Sequence, residues 1–162
     1  MATFLFLSWG QGWSVCAKTD SLFRIERSKN KNVVQYSACV LKNNQISDET
    51  PVEAHWILAG GKKEELNILE STQAYGVAHK EKLGENKFRI FLAALKDRDI
   101  LVEKVKGNYK AVVRINGHLS ALERVYVNAN DQTAGLPVVH YVDLFGRDLR
   151  TNQPTKERIT PK

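Results

Sequence analysis

The sequence predicts a mainly β fold: a single antiparallel barrel or sandwich of about eight strands, with one docked α-helix. Three observations predict it. Leu22 to Leu41 reads as two strands either side of a polar Lys29-Asn30-Lys31-Asn32 turn. Residues 87 to 115 alternate with a period of two, and the Asn116-Gly117 pair that follows is the strongest short hairpin signal available. Helical spacing is confined to residues 63–75. At 162 residues the chain has the length of one domain, and can withdraw about two thirds of its unfolded surface from water without a staple.

Residues 1–17 are nearly uncharged and contain Phe4-Leu5-Phe6-Leu7, Trp9, Trp13 and Val15-Cys16-Ala17. Val15 and Ala17 suit a signal cleavage site after Ala17, whereas a basic n-region is missing and Gln11 with two glycines dilutes the apolar core. The expectation is a truncated export signal over 1–17 and one β-rich domain over 18–162, in the periplasm or secreted. A loosely packed tail on a cytoplasmic protein is the alternative. Cleavage after Ala17 would leave Cys39 as the one cysteine, a quiet half-buried thiol with no disulfide. Cys16 lacks the Leu and the small neighbour of a lipoprotein box.

In the hairpin, Phe23, Ile25 and Arg27 share one face of the first strand. Arg27 therefore continues an apolar face, and its permanent charge requires a strand end, a set of acceptors or a ligand. Asn30 and Asn32 suit a turn or, with Arg27, a ligand-contacting mouth. The second strand sets Val34, Tyr36, Ala38 and Val40 on one side. The run Phe23-Arg24-Ile25-Glu26-Arg27-Ser28-Lys29-Asn30-Lys31-Asn32-Val33-Val34-Gln35-Tyr36 resembles the opening of an uncharacterised family of bacterial domains of unknown function. The spacing of Trp56, of Ala74-Tyr75-Gly76 and of Tyr141-Val142-Asp143-Leu144-Phe145-Gly146 is similar as well. This resemblance spans about Ser21 to Ile159. It implies a small, exported bacterial protein, and no catalytic residue carries over.

Further along, Val52, Ala54, Trp56 and Leu58 alternate with Glu53, His55 and Ile57, making Trp56 a core ring. The helix over 63–75 aligns Leu66 with Leu69 and ends at Gly76. Val77 to Lys87 reads as a charged loop around His79. Strands then follow from Lys87 to Leu95, Ile100 to Lys106 and Tyr109 to Ile115, with turns at Lys96-Asp97-Arg98-Asp99 and Lys106-Gly107-Asn108. Ala121 to Asn128 and Leu136 to Phe145 supply two more, and 147–162 is a polar extension wrapping the outside.

Function is less legible. Charged residues at 26% and a net charge of +6 spread along the chain favour a solvated surface, with a lean toward anionic partners. The expected partner is a small or lipidic ligand or an anionic envelope component; nucleic acid is not expected, and no apolar run is long enough for a membrane helix. His55, His79, His118 and His140 form no metal-ligand spacing, so neither metal nor cofactor is expected. The candidate binding residues are Arg27, Asn30, Asn32, Tyr36, His55, Tyr75, His140, Tyr141 and Asp143. Together they suit a non-enzymatic, envelope-associated binding module. The alternative is an enzyme joining Arg27 to His55, His140 or Asp143 at a barrel mouth. Asp143, a lone carboxylate in an apolar strand, is expected to pair with Arg27.

Overall fold

The computed structural model describes residues 16–130 and 137–161. Apart from Cys16 and Ala17, the expected signal segment lies outside these residues. The described chain forms eleven strands and one short helix. The strands are β1 (Lys18–Arg27), β2 (Asn30–Val40), β3 (Val52–Ile57), β4 (Lys63–Glu65), β5 (Val77–Gly84), β6 (Lys87–Leu92), β7 (Leu95–Val105), β8 (Asn108–Ile115), β9 (His118–Asn130), β10 (Val138–Asp148) and β11 (Pro154–Ile159). The helix, α1, spans Ile68–Gln73.

All eleven strands belong to one sheet, a curled, open half-barrel in place of a closed barrel or two-sheet sandwich. Nine follow the order β4-β3-β2-β1-β9-β8-β7-β6-β5, and β10 and β11 continue from β9. The branch point is β9, whose first residues pair with β8, whose later residues pair with β1, and whose other edge is covered by β10. Its pairing with β1 is parallel, so the sheet is mixed. The two limbs enclose one core, with Phe23, Val34, Tyr36, Val40 and Trp56 from one and Phe88, Ile90, Ile100, Val102, Tyr109 and Ile115 from the other. Side chains fill it. The void among Ile25, Leu92, Ile100, Val113, Leu122, Val125 and Leu144 measures about 10 Å³, the room of one water.

The predicted hairpins at 106–107 and 116–117 are present. Lys106 and Gly107 have φ of 51° and 87°, Asn116 and Gly117 of 47° and 84°, as two-residue turns matched to strand twist require. The strand count of about eight is too low for three physical reasons. Val77–Gly84 is β5, an edge strand with seven of its eight residues exposed, so no buried face marks it. The supposed outer wrap contains β11, which shows no apolar alternation because Lys156 and Arg158 are exposed on one face and Thr155 and Glu157 precede Ile159 on the other. Lys63–Glu65 pairs with β3 as β4.

The helix is correspondingly short. Asn67 caps it by accepting from the Glu70 N–H while the Glu70 carboxylate accepts from the Asn67 N–H, a reciprocal box that fixes the start at Ile68. Its expected stripe docks only in part: Leu66 and Tyr75, either side of α1, pack against the core, whereas Ile68 and Leu69 are exposed. Gly76 closes the turn where a Cβ would stand 1.9 Å from the Ser71 carbonyl oxygen. The predicted 96–99 turn lies within β7, since Leu92 pairs with Leu95 and the chain reverses at Ala93-Ala94.

Cys39 is buried and disulfide-bonded to Cys16, with Cα atoms 5.1 Å apart, which corrects the expected half-buried free thiol. The Ala17 N–H donates to the Val40 carbonyl at 2.8 Å, aligning the entry to β1 with the end of β2.

Candidate functional site

Three of the predicted binding residues meet at one end of the curled sheet. Arg27, the last residue of β1, pairs with Asn30 across the Ser28-Lys29 turn and with Val127 of β9, and keeps the inward parity of Phe23 and Ile25. Its guanidinium carbon lies 4.6 Å from the Trp56 ring centroid and 5.9 Å from that of Tyr75. Nη1 donates to the Tyr75 hydroxyl at 3.3 Å. Aromatic faces attract a cation, and more strongly where water is excluded.

Each ring is held in place. Trp56 and Tyr75 meet edge to face at 5.3 Å, and Trp56 Nε1 donates to Glu70 Oε2 at 3.0 Å, joining the cage to the helix cap. The Tyr36 hydroxyl donates to the Tyr75 carbonyl at 2.7 Å, and the Tyr36 ring stacks on Phe23 at 4.3 Å. Burial, and then the neighbouring Tyr75, push the Tyr36 hydroxyl pKa far up, so it serves as a donor and not as a base.

The Arg27 charge is uncompensated. Among the described residues no carboxylate lies within ion-pair range of it, and its Nε is buried with no hydrogen-bond partner. Buried polar atoms in native proteins almost always have one. Asn30 and Asn32, by contrast, are spent on the backbone: Asn30 Oδ1 accepts from the Asn32 N–H at 3.1 Å and Asn32 Oδ1 from the Ala59 N–H at 3.0 Å. They shape the rim.

The remaining candidates lie elsewhere. His55 pairs with Gln35 on the face of β3 opposite Trp56. It is buried with Nδ1 unpartnered, and desolvation, aided by the nearby Lys63 charge, lowers its pKa. His140 is exposed. The expected Arg27–Asp143 pair does not form. Register aligns Arg27 with Val127, and Val127 with Val142, whereas Asp143 aligns with Tyr126 and Glu26 on the outer face. Asp143 is instead gripped by Arg158, whose Nε and Nη2 donate at 2.7 and 2.8 Å, with Lys156 at 3.5 Å. The Arg158 hydrogen bonds hold the Asp143 carboxyl below its usual range. Tyr141 lies beneath the Arg158 guanidinium, 3.8 Å away. The groups named for an enzymatic alternative therefore do not converge.

Sequence reasoning missed the cage partner Glu70, although Asn67-Ile68-Leu69-Glu70 has capping-box spacing. It also missed a surface pair, His118 Nδ1 with Asp148 Oδ2 at 2.9 Å. Asp148 further accepts from the Thr151 and Arg150 N–H groups, which with His118 bring its pKa down to about 2.

A family model described as domain of unknown function DUF4833 matches residues 23–158. No curated protein and no solved structure matches.

Proposed function

The chain belongs to the DUF4833 family of domains of unknown function, and on that premise we propose from its own geometry a non-enzymatic binding module, exported by a bacterium, whose binding group is Arg27. One observation carries the reading: a half-buried guanidinium is held by Trp56 and Tyr75 with no carboxylate among the described residues to neutralise it. Positioning rings and a free charge suit recognition of an anionic group on a ligand, since a fixed guanidinium offers several donors at known angles. The filled core argues against a ligand carried inside the sheet, so the group is received at the open end.

Anion titration tests this. Wild-type protein should gain thermal stability as acetate, phosphate or sulfate is added at constant ionic strength, because a ligand bound only to the folded state stabilises it. Arg27→Gln should lose that response and Arg27→Lys should retain part of it. Equal stabilisation of wild type and Arg27→Gln would refute the site.

Export is supported by the Cys16–Cys39 bond, since disulfides persist in oxidising compartments. A cut after Ala17 would remove Cys16, so the exported form that keeps this bond is processed upstream of residue 16. Mass measurement of the mature protein from its native host checks this; a chain starting at Lys18 would sink it.

A further inference from the structure

The outer face of β1, β9, β10 and β11 carries a feature that the Arg27 site does not use. Two cross-strand rows lie side by side there: Glu26, Tyr126, Asp143 and Arg158 in one, Arg24, Arg124, Phe145 and Lys156 in the other. The carboxylates sit low, with Asp143 only 5% and Glu26 25% exposed as side chains. The cations stand above them: Arg24 and Arg158 are 51% exposed, Lys156 55% and Arg124 34%.

None of the guanidiniums spends all its donors on these carboxylates. Arg158 uses Nε and Nη2 on Asp143, Arg124 uses Nη1 on Glu26 at 3.0 Å, and Arg24 uses Nε on Glu26 at 2.7 Å. A guanidinium has five N–H donors, so each keeps donors in reserve while its orientation is already set. Aromatic rings fix the planes from below, with Arg124 3.9 Å from the Phe145 centroid and Arg158 3.8 Å from that of Tyr141. An open groove of about 370 Å³ runs beside them, bordered by Arg24, Glu123, Arg124, Phe145 and Thr155, and Glu123 is paired with Arg147 at 3.1 Å.

We propose that this face is a docking surface for an acidic polysaccharide. Four cations over two recessed carboxylates, with the neighbouring Glu123 offset by Arg147, leave a net positive charge facing outward, which selects a polyanion by complementarity. A single-stranded nucleic acid fits less well. Such ligands are held by successive bases stacking on open aromatic faces, and here Tyr141 and Phe145 are already covered by guanidiniums. Carboxylates along a sugar chain need only the reserved N–H donors.

Titration calorimetry of the 162-residue chain with polygalacturonate at low salt tests the assignment. Wild type should bind, with affinity falling as salt rises. Arg24→Gln with Lys156→Gln leaves the Asp143–Arg158 pair intact, and should weaken binding about fivefold for each cation removed, about 25-fold together. Lys104→Gln, which removes an exposed cation of β7 well away from these strands, should bind like wild type, and the Arg27 site is scored separately by its acetate response, so the two fail separately. No binding by folded wild type, or unchanged affinity in the double variant, would overturn the proposal. Equal binding of neutral dextran, or tighter binding of a thymidine oligonucleotide, would overturn the glycan assignment.

Discussion

Breaking the Cys16–Cys39 bond should cost this protein a large part of its stability. The two cysteines are separated by 23 residues, and the bond ties the entry of β1 to the end of β2. Closing a loop of that size removes about 11 cal/mol/K of entropy from the unfolded chain, or about 3.4 kcal/mol at 25 °C. The folded state should change little on reduction, because β1 and β2 remain paired from Lys18↔Val40 onward. For a domain of this length each kcal/mol moves Tm by about 2–4 °C, so reduced protein should melt about 7–14 °C lower. The assay is urea unfolding followed by tryptophan fluorescence, on oxidised wild type, reduced wild type and Cys16→Ala. The last two should coincide, since Cys39 tolerates burial as a small thiol. A difference below about 1 kcal/mol between oxidised and reduced protein would refute the reasoning, as would two free thiols in non-reduced native protein.

Three further outcomes follow from local geometry. Gly146→Ala should destabilise by about 2–3 kcal/mol, because its Cβ would lie 2.4 Å from the Ala121 carbonyl oxygen and 2.9 Å from Ile115 Cδ1; a Tm within 2 °C or so of wild type in a calorimetric scan would contradict this. Glu70→Ala removes the side-chain half of the reciprocal cap and the Trp56 acceptor and should cost about 1–2 kcal/mol in denaturant titration, with Glu70→Gln losing less. Asp148 has a folded pKa lowered to about 2, against about 3.9 for an unfolded aspartate. Its stabilising contribution is therefore complete above about pH 4 and lost as pH falls through about 2. The stability gap between wild type and Asp148→Asn should be constant above pH 4 and close below it, and a gap unchanged between about pH 5 and 2 would show that the carboxylate is not held as described.

Much of the fold was legible because period-two alternation reports a strand wherever one face is buried. Phe88, Ile90 and Leu92, or Tyr109, Ala111 and Val113, announce their strands that way, and the left-handed turn residues between them announce the hairpins. β5 and β11 escaped for the converse reason, since an edge or outward strand has no continuous apolar face to display. The helix was overread because leucine spacing looks the same whether or not a sheet receives it, and Leu69 is left in solvent.

The candidate site was half visible. An inward-facing Arg27 followed from parity along one strand, Tyr36 and Tyr75 stood among the candidate binding residues, and Trp56 read as a core ring. Their meeting was not visible, because Tyr75 reaches Arg27 across 48 residues of chain. The partner of Asp143 shows the same limit. A carboxylate among apolar residues had to find a cation, and the sequence alone established that need. Which cation it found depended on the register of β9 against β1 and of β11 against β10, which turns Asp143 outward to Arg158 and leaves Arg27 inside with no counter-ion among the described residues. Side-chain parity is a property of one strand, whereas the face that a parity occupies in the sheet is set by long-range pairing, and a shift of one residue reverses it.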